Sequence, residues 1–145
     1  MNTQQKDLSY FRLRLQELLT TSFPEKTYDV KFIAQRSSWA SNAYEDAFRA
    51  GNPINQCDHI ADYVLFEGLH FSKFDTLFQV VCNEFDARMA DEELRPFALK
   101  MLPICYPVFT NYKLTDDFAY TTEFDFLYTE LTGTIAIWIE EHGLQ

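Results

Sequence analysis

Apolar residues recur along this chain at three- and four-residue steps, the spacing that lines side chains up on one face of an α-helix. Leu8, Phe11, Leu15, Leu18 and Leu19 form such a stripe, which predicts a helix over about residues 7–21, ended by Phe23-Pro24. Asp29 is placed to cap a second helix reaching about residue 50, with Ile33, Ala40, Ala43, Tyr44 and Ala47 facing inward. The small residues on that face predict a close helix–helix crossing. Asn52-Pro53 sets a capping residue before a proline at the first helical position. The helix it opens is predicted to run to about residue 70, with Ile60, Val64, Leu65 and Leu69 buried.

Ser72 caps the fourth predicted helix and Asp75 completes a capping box, ahead of a stripe of Leu77, Phe78, Val81 and Phe85. Asp91 starts a fifth that reaches about residue 101. Pro103 and Pro107 each lack a backbone donor and are expected to kink it or divide it, leaving 104–112 as a separate short helix. Residues 113–121 predict a loop. Thr122-x-x-Asp125 is a further capping box, opening a last helix to about residue 142. Its stripe of Phe124, Leu127, Tyr128, Leu131, Ile135, Trp138 and Ile139 is the strongest in the chain. Period-two alternation and hairpin dipeptides are missing. The pattern therefore predicts an all-α fold, six to seven helices in one compact domain over residues 1–145, with an ordered core at about 7–143. Gly51 and Gly143 read as helix stops. Gly68 and Gly133 fall inside helical patterns and predict close backbone approach, with each other as the expected pair.

Composition supports a core without staples. Of 145 residues, 47% are hydrophobic and 24 are aromatic, enough for a single domain of this length. Cys57, Cys82 and Cys105 show no CxxC spacing, which fits buried thiols in a reducing compartment. The first residues lack the apolar stretch of a signal peptide, and no run approaches a membrane span. A cytoplasmic protein without membrane association is expected. Net charge is −10, distributed as +1 over residues 1–50, −5 over 51–100 and −6 over 101–145. That balance repels phosphate, so direct nucleic-acid binding is not expected.

Candidate chemistry concentrates in VLFEGLHFSKFDTLF, residues 64–78. Glu67-x-x-His70 has the spacing of half a di-metal carboxylate site, which needs a second such pair on another helix. None is present: Ile139 lies three before His142, and Gln56 three before His59. No metal and no cofactor is expected. His70 as a cation at a helix end, with Glu67 as its i, i+3 partner, accounts for both residues structurally. Cys57, His59, His70 and Cys82 match no zinc spacing. Glu130 is the third acid–base candidate, brought towards Glu67 if Gly133 packs near Gly68. Asp116, Asp117, Phe118 and Tyr120 join acids to aromatics on the predicted loop and are candidates for partner binding, although Phe118 and Tyr120 equally serve to pin that loop to the core. No phosphate loop, Ser-His-Asp set or nucleotide fingerprint occurs.

The blocks LSYFRLRL (8–15), VLFEGLHFSKFDTLF, DDFAY (116–120) and LYTELTGTI (127–135) together resemble a family of uncharacterised Bacteroidetes proteins catalogued as a domain of unknown function. The resemblance covers about residues 8–144. It implies an all-α multihelical fold and frequent carriage on conjugative transposons and similar mobile elements. It brings no activity, cofactor or catalytic residue. Glu67, Gly68, His70, Ser72, Lys73, Asp75, Asp116, Asp117, Tyr120, Glu130 and Gly133 lie within the shared blocks. The leading expectation is a non-enzymatic interaction or regulatory protein with a protein partner, or a homodimer. A carboxylate–histidine enzyme built on Glu67, His70 and Glu130 is one alternative. An acidic DNA mimic acting against restriction is the other.

Overall fold

In a computed structural model of the chain, which describes residues 7–144, all regular structure is helical. The six α-helices are α1 (Leu8–Ser22), α2 (Val30–Arg49), α3 (Ile54–Leu65), α4 (Lys73–Glu84), α5 (Asp91–Phe109) and α6 (Glu123–His142). They gather into two compact units, Met1–Leu69 and His70–Gln145, each with its own core. No described helix is long and apolar enough to cross a membrane.

In the first unit, the Asp29 carboxylate accepts from the Phe32 N–H at 3.2 Å, capping α2 as its position predicts, and the Asp7 carboxylate accepts from the Tyr10 N–H at 3.1 Å, so Asp7 caps α1 from just outside it. Phe11, Leu15 and Leu19 of α1 pack with Ile33, Ala40, Tyr44 and Ala47 of α2 and with Cys57, Ala61 and Leu65 of α3. α2 and α3 are the most extensively packed pair, because Ala40, Ala47 and Ala61 let their backbones approach. Asn52 does not cap α3. Its backbone N–H and its side-chain amide both donate to the Ala47 carbonyl, at 3.1 and 2.9 Å, closing the end of α2 over Gly51 at φ +94°. Pro53, extended at ψ 161°, stands at the cap of α3 instead.

α3 stops at Leu65, one turn before its apolar pattern ends. The next segment is a turn in which Gly68 takes φ +80°, a conformation that L side chains avoid. Gly68 is therefore a turn glycine, not a packing glycine inside a helix. Leu69 remains buried, which is why the periodicity carries past the true end.

In the second unit, Phe74, Leu77, Val80 and Val81 of α4 meet Leu94, Ala98, Met101, Leu102, Cys105 and Phe109 of α5 and Leu127, Leu131, Ile135 and Ile139 of α6. Neither Pro103 nor Pro107 divides α5, which also carries Pro96 and runs unbroken for 19 residues. All three prolines are exposed and fall at seven- and four-residue steps on the side away from the buried stripe. The donors they lack would have served the carbonyls of Glu92, Leu99 and Pro103, and a helix tolerates such losses on its exposed side by curving with that side convex. At the start of α5, the Glu93 carboxylate accepts from the Ala90 N–H at 2.9 Å. Thr122 makes no side-chain cap at α6. Its backbone is already helical, and its carbonyl accepts from the Asp125 N–H.

Candidate functional site

Residues 64–78 take in the end of α3, the connection at 66–72 and the start of α4. The Arg36 guanidinium on α2 donates to the carbonyls of Val64 (3.4 Å), Leu65 (3.3 Å) and Glu67, while it lies over the Phe32 ring at 4.8 Å. Three carbonyls at or just beyond the end of α3 are thereby satisfied by one cation. The capping duty expected of His70 thus belongs to Arg36. A second cation acts nearby: Arg14 of α1 pairs with Asp62 of α3 through a two-pronged contact and rests 5.2 Å from the Phe66 ring. That hydrogen bond raises the Arg14 pKa above its ordinary value against the opposing effect of burial. On the other side of the turn, the Ser72 hydroxyl accepts from the Asp75 N–H at 2.9 Å and starts α4 as predicted.

Glu67 and His70 are both exposed, Glu67 near the end of the first unit and His70 opening the second. Because α3 ends at Leu65, they do not share a helical turn, and the geometry that gives Glu-x-x-His its meaning as a ligand pair is missing. Glu130, also exposed, lies mid-way along α6, where its carboxylate accepts the Tyr112 hydroxyl. Among the described residues no three His, Cys, Asp or Glu side chains gather into a metal-holding group. Gly133 does not pack closely: a Cβ built there meets nothing within 4 Å, and the same holds at Gly68.

The segment before α6 is built around Phe118. Thr115 and Asp117 carbonyls accept from the Phe118 and Tyr120 N–H groups at 3.0 and 2.9 Å, making one 3-10 turn over Phe118–Tyr120. That turn sends the two aromatics in opposite directions. Phe118 is 1% exposed, with its ring centroid 5.3 Å from Phe71, 5.8 Å from Tyr112 and 6.3 Å from Phe124. Tyr120 is 89% exposed, Asp117 is exposed and Asp116 is partly so. Phe118 therefore anchors the segment and offers no free face, while Tyr120 pins nothing.

Two tyrosine–carboxylate pairs flank this aromatic row. The Tyr128 hydroxyl donates to Glu84 at 2.8 Å and accepts from the Asn83 amide at 3.3 Å. Burial first, then the bond to Glu84 against that from Asn83, raises its pKa. The bond to Glu130 pushes the Tyr112 hydroxyl up to about 12. Both phenols remain protonated donors, and both carboxylates are occupied as acceptors. The thiols are equally quiet. Cys57 and Cys105 are buried, and burial pushes Cys105 up to about 11.

The pattern of α6 holds a feature that a reading of its buried stripe overlooks. Opposite Leu127, Leu131, Ile135 and Ile139 lie Phe126, 65% exposed, and Ile137, 57% exposed, with Gly133 between them. Steps of seven and four residues place all three on one line. The signal was present as a second apolar set half a turn away from the first.

The crystal structure of protein PG0816 from Porphyromonas gingivalis resembles this chain along nearly its whole length, with a TM-score of 0.90 and 41% sequence identity. The match covers 99% of this chain and 97% of that one. No curated protein matches. The family described as a domain of unknown function, DUF1896, matches residues 3–144, and the chain belongs to that family.

Proposed function

We propose that this chain works as a non-enzymatic interaction protein. The observation that carries the reading is the set of large apolar side chains left in solvent on well-packed helical units: Tyr28, Val30, Tyr63, Tyr120, Phe126 and Ile137. Aromatic residues of this kind are enriched where proteins meet partners. Tyr112 holds Glu130 and Tyr128 holds Glu84 in place, which suits a scaffold. Cytoplasmic residence belongs to the same reading and is supported by three free cysteines. Carriage on a mobile element rests on the family resemblance.

Affinity capture from cells that produce the protein, paired with light scattering on the purified chain, tests the proposal. The expected result is a saturable partner at defined stoichiometry, or a homodimer. A strict monomer that recovers nothing above a mock control counts against it.

A further inference from the structure

We infer that the outer face of α6 is the docking surface, and that its partner is a protein helix with an apolar stripe flanked by Lys or Arg. This inference rests on the interaction reading above. Phe126 and Ile137 lie eleven residues apart, roughly 16 Å along the helix axis. Between them Gly133 leaves a gap, since a Cβ there would meet nothing within 4 Å outside its own helical turn among the described residues. A glycine in an exposed helix interior costs about 1 kcal/mol relative to alanine, and among the described residues neither a close contact nor a positive φ accounts for it. A shallow groove bounded by two large apolar side chains suits a helix laid across it.

Charge selects the partner. Glu123, Glu130 and Glu141 border this line on one side and Glu140 on the other, and α6 carries no Lys or Arg. The whole second unit holds five basic and thirteen acidic side chains, net −8. Glu130 is held in place by Tyr112, so part of its ordering cost is met before binding. A second copy of α6 would set acid against acid, which disfavours self-pairing through this face. A basic amphipathic helix instead buries its apolar stripe on Phe126, Gly133 and Ile137 and places cations beside the glutamates.

The test is a fluorescence-anisotropy titration of the full chain with a labelled 18-residue Leu/Lys amphipathic helical peptide, beside a Leu/Glu peptide of the same pattern. Gly133→Leu fills the groove from a position where a Cβ has no close neighbour outside its own helical turn, and Phe126→Ala/Ile137→Ala removes its edges. The expected result is saturable binding of the Lys peptide that weakens at least tenfold in both variants, with no loss of thermal stability in Gly133→Leu. The Glu peptide should not bind. Undiminished binding in both variants overturns the assignment of the face while leaving the interaction reading intact. Absence of binding up to millimolar Lys peptide overturns the partner chemistry. A dimer abolished by Gly133→Leu would make a second copy the occupant and overturn it too. Failure of the interaction reading itself would instead appear in the capture experiment.

Discussion

Replacing Gly133 with alanine should stabilise the protein. Gly133 sits well inside α6, is exposed, and among the described residues nothing outside its own helical turn lies within 4 Å of the position a Cβ would take. Its φ is not positive, so alanine adopts the native backbone without strain. The full helix-propensity difference, about 0.8–1 kcal/mol, should therefore appear as added stability. Unfolding entropy near 2.1 cal/mol/K per residue amounts to roughly 0.3 kcal/mol/K for a chain of this length, so the gain reads as about 3 °C in Tm. If the second unit, His70–Gln145, unfolds by itself, the smaller entropy raises the shift to roughly 6 °C. Differential scanning calorimetry of the two proteins measures both the sign and this distinction. A lower Tm for Gly133→Ala would show that the backbone at Gly133 is approached from within the chain, and would refute the open groove on α6.

Other perturbations reach different parts of the account. Phe118→Ala removes a buried ring shared with Phe71, Tyr112 and Phe124 and should cost about 3–5 kcal/mol in urea unfolding; a loss under about 1 kcal/mol would mean Phe118 is no anchor. The Tyr112 hydroxyl, pushed from 10.0 up to about 12, holds its proton more tightly in the folded state. Its contribution should be complete below about pH 10 and decline as pH rises towards 12. Tyr112→Phe should flatten that part of the stability–pH profile, and an unchanged slope would contradict the Tyr112–Glu130 bond. Under native conditions at pH 8, Cys82, half-buried, should react first with a thiol reagent while Cys57 and Cys105 stay protected; equal rates would place the buried thiols wrongly.

Most helix starts were legible because capping chemistry is local. Asp7, Asp29 and Ser72 bond to N–H groups three residues on, and a sequence displays that spacing directly. Helix ends were harder. Leu69 continues the apolar rhythm of α3 although its burial comes from the turn after it, so only the positive φ of Gly68 marks the stop. The unity of α5 was hidden for the opposite reason. Proline lacks a donor wherever it occurs, but the loss is small on the water side, and Pro96, Pro103 and Pro107 all lie there. Thr122 looked like a cap by type and was not one, because its own backbone had already turned helical.

The candidate site was less legible than the fold. Glu67 and His70 have a ligand spacing only if a helix joins them, and it does not. Arg36, which closes α3, lies 28 to 31 residues before the carbonyls it meets and shows no local signal. Phe126 and Ile137 could have been found by asking which apolar residues fall outside the buried stripe of α6. A core argument asks the reverse.

The central claim is that α6 presents a partner-binding face, and site-specific photo-crosslinking in cells tests it most directly. A photoreactive residue at Phe126 should give a discrete adduct whose crosslinked segment is helical in pattern and rich in Lys or Arg. The same probe at Asn42, a polar exposed position of the first unit, should not. Adducts from Asn42 but not Phe126, or from neither, would contradict the claim.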